Sequence, residues 1–269
     1  MSRLSRLSAM LPRGLKDWRL WLLQAVANPL LFALFVGWLL IPERRGWHLG
    51  ASLVGMLFLA AAALLVHAGA LAYFAESEEA APAVLRAAYR RALQNLAAFA
   101  LCVAIMYLVW RSTDRLDAYQ SSLPAYLRSM PSMMRRHISR ADVIGAHAAL
   151  IFLVRWIIWP GLLLPFAAAV ALSGFRGLGQ GRVATWRAIR SGWYWLTIAI
   201  TAVAGVLLTS SLVDWRPFVR GASISAESAS MAIRVFAAYL IGLTSWLGTC
   251  SMVGKRLHAV LGARGQTAR

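Results

Sequence analysis

Residues 49–75 read LGASLVGMLFLAAAALLVHAGALAYFA, from Leu49 to Ala75 without a single charge. A helix rises about 1.5 Å per residue, so a run of this length reaches about 40 Å, more than the roughly 30 Å hydrocarbon core of a bilayer. Lipid offers no partner to an unpaired backbone amide, and a helix satisfies its own. The stretch therefore predicts a transmembrane helix, and the fold class depends on how often such a stretch recurs.

It recurs five times. Leu20–Ile41, Ala92–Trp110, Ser191–Val213 and Val235–Gly254 carry no charge, and Val143–Phe175 carries only Arg155. The expectation is an all-α polytopic transmembrane bundle with six spans at about 20–41, 49–75, 92–110, 144–173, 191–213 and 235–254. A basic N-terminal surface segment (1–18) precedes a single membrane domain (19–255), and a basic tail (256–269) follows. The first block is too long for the apolar core of a signal peptide, and Leu39-Leu40-Ile41-Pro42-Glu43 is a poor cleavage site.

Composition agrees. The chain has 269 residues, 60% hydrophobic and 14% charged, where soluble domains run near 45–50% and 25%. A net charge of +18 in a soluble protein would point to nucleic acid. Here the cations flank apolar blocks and no nucleic-acid motif is present. Anionic lipid head groups are the expected partner, alongside a possible membrane-protein partner, with no nucleic acid. Cys102 and Cys250 both fall inside spans, so neither a disulfide framework nor a four-thiolate metal site is expected.

Orientation follows from Lys and Arg near the span ends. With the N-terminus inside, inner segments carry 16 and outer loops 10, which places both termini in the cytoplasm of a multi-pass inner (plasma) membrane protein. Six of the outer ten lie in residues 111–142, where Leu123, Tyr126, Leu127, Met130, Met133, Met134 and Ile138 fall near one helical face. That loop reads as one or two amphipathic helices on the outer leaflet, as a small extramembrane cap, or as a sign of inverted topology. Met1–Trp18, with Arg3, Arg6, Arg13 and Lys16, reads either as a surface helix or as a disordered basic tail.

Within the spans, Asn28-Pro29 predicts a kink. Residues 143–175, interrupted by Trp159-Pro160-Gly161 and Pro165, form either one bent span or an interfacial helix and a shorter span. Small residues at Ala60–Ala63, Ala68–Ala70, Ala167–Ala171 and Ala199–Gly205 suit close helix packing, and tryptophans cluster near the interfaces. There is also an internal echo. A long span, an acidic turn at Glu76–Glu79 and a basic helix Val84–Arg91 lead into the third span. A long span, a flexible glycine turn at Gly177–Gly181 and a basic helix Val183–Arg190 lead into the fifth. Such a repeat is parallel, not inverted.

The succession Pro165–Gly174, Arg176–Arg182 and Thr185–Tyr194 resembles uncharacterised polytopic bacterial membrane proteins. It is similar to the membrane domain attached to some glycerophosphoryl diester phosphodiesterases. The resemblance spans about residues 50–255 in architecture. It implies no catalytic residue here, because the chemistry of those proteins sits in a separate soluble domain.

Polar groups inside a bilayer are functional candidates, and Gln24, Asn28, His67 and Arg155 qualify. At mid-membrane Arg155 would cost about 2.5–3.5 kcal/mol on insertion scales. It either snorkels to phosphates or faces the bundle as a lipid- or substrate-binding cation. His67 suits one interhelical hydrogen bond, His147 an interfacial position, and Arg234 an interface anchor. The five histidines show no metal-ligand spacing, and neither a nucleophile elbow nor a phosphate-binding loop is present. No catalytic, cofactor-binding or metal residues, and no cofactor, are expected. Three functions remain open: a non-enzymatic scaffold or accessory subunit acting through packing and anionic-lipid contact; a small-solute or lipid transporter or channel-like carrier; and, last, a lipid-acting enzyme.

Overall fold

A computed structural model describes residues 17–41, 45–76, 81–119, 139–215 and 224–267, together with Ser122, Ala125 and Ser129. The expected N-terminal surface segment up to Lys16 and most of the amphipathic loop lie outside the described residues. Among the described residues the protein is an all-α polytopic membrane bundle, with six helices long and apolar enough to cross a bilayer. In chain order the helices are α1 (Trp18–Leu39), α2 (Gly46–Glu76), α3 (Pro82–Gln94), α4 (Leu96–Ala118), α5 (Arg140–Phe152), α6 (Trp159–Ser173), α7 (Leu178–Ile189), α8 (Gly192–Ala202), α9 (Thr209–Asp214) and α10 (Ile224–Thr267). A π-helical segment, Leu153–Ile158, joins α5 to α6, and a second, Val203–Leu208, joins α8 to α9. We call the end that carries Trp18 and Ser173 basal, and the end that carries Leu39 and Asp214 distal.

One alternative left open by the sequence is resolved, and one boundary departs from the expectation. Residues 140–173 form one continuous crossing, because the π-helical segment absorbs the disturbance ahead of Pro160. The third span starts at Leu96, after a separate surface helix, and does not stop at Trp110. It runs on through Arg111, Asp114, Arg115 and Asp117 to Ala118.

Burial is inverted relative to a soluble protein. Twelve of the residues with least exposure are alanines, Ala68, Ala70, Ala72, Ala75, Ala88, Ala92, Ala167–Ala169, Ala171, Ala184 and Ala188, beside a few large side chains such as Tyr73, Tyr194 and Leu247. Leu30, Phe32, Val54, Phe58, Leu108 and Ile233 point outward. Lipid tails solvate large apolar side chains as well as a core does, so close backbone approach becomes the source of cohesion. Most of this core lies basally, where α2 and α6 pack together and α10 lies against α2. A Cβ at Gly254 of α10 would lie 2.5 Å from the Phe74 backbone of α2.

The internal echo is a repeat of structure. Pro82 and Leu178 open the two surface helices, Leu96 and Gly192 open the spans that follow, and Ala118 and Asp214 close them. Each pair is 96 residues apart. At the same spacing stand Arg86 and Arg182, Ala88 and Ala184, Arg91 and Arg187, and Ala92 and Ala188. The Tyr89 hydroxyl donates to the Val66 carbonyl (3.2 Å) and the Thr185 hydroxyl to the Leu162 carbonyl (3.2 Å), each pair separated by 23 residues. Both units run from the distal end to the basal end and back, so the repeat is parallel.

The glycine-rich stretch of the second unit is helical, not a flexible turn. A short 3-10 turn, Gly174–Gly177, leads straight into α7, and Gly174 has φ +61°, a conformation that suits glycine. A Cβ at Gly177 would overlap the Ala169 carbonyl, and one at Gly181 would come within 2.8 Å of the Phe166 Cα. These glycines let α7 lie directly on the backbone of α6.

Candidate functional site

The four polar candidates separate into a packing clasp and a charged cluster. Gln24 is fully buried, and its amide donates to the Val66 carbonyl (2.8 Å) and the Tyr89 hydroxyl (3.2 Å). Asn28 donates to the Gln24 side-chain oxygen (3.3 Å). Pro29 has no N–H, so within α1 the Ala25 carbonyl loses its helical donor. The Tyr239 hydroxyl of α10 donates there instead (3.1 Å) and also reaches the Gln24 carbonyl (3.2 Å). Pro165 frees the Gly161 carbonyl in the same way, and the buried Tyr194 hydroxyl donates to it (2.7 Å). Backbone groups exposed by proline must find partners in lipid, and a tyrosine from another helix meets each need. Gln24 and Asn28 thus serve packing.

His67 is next to Val66 but takes no part in this clasp. Its Nδ1 has no hydrogen-bond partner, and its ring meets Trp246 edge-on with centroids 5.2 Å apart. The interhelical hydrogen bond expected from the sequence is not made at that nitrogen, and the ring packs against Trp246.

Arg155 lies in the distal half, in the π-helical segment, and is held by the extension of α4. Its Nε donates to the Thr113 hydroxyl (2.6 Å), and its two terminal nitrogens meet Asp114 and, at 3.4 Å, Asp117. The guanidinium also sits over the Trp110 ring, 5.1 Å from its centroid. Asp114 is shared with Arg111 at 2.9 Å. Two carboxylates therefore pair with Arg155, and it does not project as a free cation. Thr113, Asp114 and Asp117 were missed in the sequence because charge after Trp110 reads as the end of the span. Their spacing, i, i+1 and i+4, does put them on neighbouring faces of a continued helix. His147 contacts the Leu116 carbonyl at 3.1 Å. Arg234 donates to the Val213 carbonyl at 2.9 Å and to that of Trp215, so it ties α10 to the end of α9.

Two features of the bundle concern ligands. Between α4, α5–α6, α8–α9 and α10 lies a cavity of about 470 Å³. Its lining residues include no carboxylate, imidazole, amine, guanidinium or thiol. A second apolar cavity of about 240 Å³ lies between α4, α6 and α7 and shares Met106 and Leu163 with the first. The other feature is the basal surface. Arg86, Arg90 and Arg91 of α3, Arg176, Arg182, Arg187, Arg190 and, on α10, Lys255 are all exposed there. Among the described residues, the carboxylates nearby are already engaged: Glu76 pairs with Arg91 (3.2 Å), and Asp17 accepts from the buried Tyr73 hydroxyl (2.8 Å). Exposed Leu93, Phe175, Leu178, Trp186, Ile189 and Trp193 are interleaved with these cations. No group of three or more His, Cys, Asp or Glu suited to a metal occurs among the described residues.

No protein-family model, curated protein or solved structure matches the chain.

Proposed function

We propose that this protein is a non-enzymatic membrane scaffold or accessory subunit whose basal face holds anionic lipid head groups. The observation that carries this reading is the basal surface, where eight exposed cations alternate with exposed apolar and aromatic side chains. Cations beside apolar groups at a membrane edge suit head-group phosphates on one side and acyl chains on the other. Arg190 stacks over Trp186 at 4.7 Å, which sets a cation and an interfacial aromatic at the same level. The excess of Lys and Arg at this end also supports a cytoplasmic basal face and an inner-membrane location. An accessory role accords with the resemblance to a membrane domain whose relatives keep their chemistry in a separate soluble part.

A small-solute carrier is the less favoured reading, because Gln24 and Asn28 are consumed by packing and Arg155 by Asp114 and Asp117. The test compares thermal unfolding of the full chain in nanodiscs of phosphatidylcholine alone and with phosphatidylglycerol. The expected result is a higher midpoint with phosphatidylglycerol, and a smaller gain when Arg86, Arg90, Arg182 and Arg190 are changed together to Gln. Equal midpoints in both lipids, with no protein partner retained in mild detergent, would refute the reading. Solute flux above that of empty liposomes would put the carrier in its place.

A further inference from the structure

We propose that the gap between the end of α7 and the basal end of α10 binds the phosphate monoester of a lipid head group, the chemistry of a phosphatidic acid. This site belongs to the basal face read above as a head-group surface and rests on that reading. The two units differ here. In the first, Arg91 is neutralised by Glu76 at 3.2 Å. Arg187 repeats Arg91 in the second, but the position of Glu76 is taken by Leu172. Arg187 pairs with no carboxylate and donates instead to the Ala259 carbonyl of α10 (3.4 Å). The residues that cap the following spans differ as well. Asn95 precedes α4 and donates to the Ala171 carbonyl (3.2 Å). Its counterpart Ser191 precedes α8, and the Ser191 hydroxyl accepts from Arg256 of α10 (2.5 Å).

Arg187 and Ser191 are one helical turn apart in the chain, and so are Arg256 and Ala259. The two bonds therefore cross between the same stretches of chain and bring two guanidiniums into one gap. Like charges so placed repel, and each spends its bond on a neutral oxygen. Among the described residues, neither they nor the neighbouring Arg190 and Lys255 form an ion pair. The first turn of α8 carries no acid either. Arg256 is half-buried and Arg187 exposed, so the gap is sheltered on one side and open to an incoming anion on the other. Most N–H donors of both guanidiniums are unspent, and a guanidinium fork matches phosphate oxygens in pairs. A diester offers fewer free oxygens and a single charge. A monoester offers three oxygens and about −1.5 to −2 charge, enough for two forks. An apolar strip beginning at this elbow favours a lipid as the source. Trp193, Leu196 and Ile200 of α8 are exposed at i, i+3 and i+7, on one face of the helix. They give an acyl chain a bed next to the phosphate.

The test is native mass spectrometry of the full chain released from phosphatidylcholine nanodiscs, doped with dioleoyl phosphatidic acid in one arm and dioleoyl phosphatidylglycerol at the same level in the other. Phosphatidic acid is expected to saturate at one retained molecule per chain, at a higher occupancy than phosphatidylglycerol. Arg187→Gln should lower that occupancy about tenfold, as the loss of one charge-assisted pair implies. Arg256→Lys keeps the charge and loses the fork, and should lower it several-fold. Arg91→Gln, the matching change in the first unit, should leave it unchanged. If Arg256→Lys fails to give a cooperative melt, Arg187→Gln, at an exposed position, still decides. Equal retention of the two lipids overturns the proposal, and so do equal losses in Arg187→Gln and Arg91→Gln. Inorganic phosphate that raises the thermal midpoint in plain phosphatidylcholine nanodiscs as far as phosphatidic acid does overturns the assignment to a lipid. Phosphatidylglycerol against phosphatidylcholine tests the basal reading, whereas phosphatidic acid against phosphatidylglycerol tests this site. A gain from both anionic lipids without preference therefore sinks the site and leaves the basal reading standing.

Discussion

In residues 46–118 both spans are unbroken α-helices, whereas in residues 140–214 each span carries a π-helical segment in its interior. The boundaries of the surface helices and of the spans that follow them coincide at a spacing of 96 residues, and equivalent alanines and arginines occupy the basal end. There, in both units, the surface helix is clamped to the preceding span through buried alanines and a hydroxyl-to-carbonyl bond. The units differ distally, where the second lines the cavity from both of its spans, whereas the first contributes only α4 and its α2 presents Leu57 and Phe58 outward. The difference separates two tasks in one topology. Close basal contact fixes the arrangement, and that leaves the distal halves free to part and enclose a space.

The largest expected effect comes from spoiling the backbone contact at Gly177, which only the second unit possesses. Gly177→Val forces side-chain atoms into the backbone of α6 and should cost about 3 kcal/mol or more. Ala81→Val, at the matching place in the first unit, should stay within about 0.5 kcal/mol. Unfolding in a graded detergent series, followed by circular dichroism, measures both, and equal losses would break the comparison.

The next effect is electrostatic. Position 59, the counterpart of Arg155, is a leucine, and the counterparts of Asp114 and Asp117 are Ser210 and Val213. Arg155→Leu leaves two partly buried carboxylates without their shared partner and should cost about 2 kcal/mol, less than a fully buried pair because Asp117 is nearly half exposed. Adding Asp114→Ser and Asp117→Val, which writes each unit's residues into the other, should restore most of that loss. Failure of the triple variant to recover would show that the cluster does more than neutralise itself.

Smaller effects sharpen the equivalence. Tyr89→Phe and Thr185→Val each remove one bond to a span carbonyl, at about 0.6 kcal/mol apiece for bonds of this kind in membranes. A double-mutant cycle with Gln24→Leu should show coupling for Tyr89, which touches Gln24, and none for Thr185. The smallest effect is expected from Arg86→Gln and Arg182→Gln. Each should change stability in detergent by less than about 0.5 kcal/mol, and each should reduce the response to phosphatidylglycerol to a similar degree.

Much of this arrangement was legible in the residues. Charge-free runs set the number of spans, because lipid tolerates neither charge nor unpaired backbone. The two basic helices, Val84–Arg91 and Val183–Arg190, carried the repeat in weak form, and its 96-residue register came from the helix boundaries. The distal end of α4 was not legible, since Arg111, Asp114 and Asp117 look like a return to water when read along the chain. The partner of the two carboxylates, Arg155, comes 38 and 41 positions later and turns a charged tail into a closed cluster. Gln24 and Asn28 misled in the opposite sense. In sequence they are polar groups with nothing to bind, whereas in space they adjoin a proline gap filled by Tyr239. The cavity had no local signature at all. Its wall is drawn from four helical segments far apart in the chain, and neither Trp159 nor Trp246 announces an unmet donor until its neighbours are known.

Helix α10, with 44 residues, extends about 66 Å at 1.5 Å per residue. A membrane, head groups included, is about 40–45 Å thick. Some 20 Å of rod must therefore stand in water or be taken up by slant, and slant couples the two faces of the membrane. Whatever grips the projecting turns gains leverage on Gly242 and Trp246 deep in the bilayer.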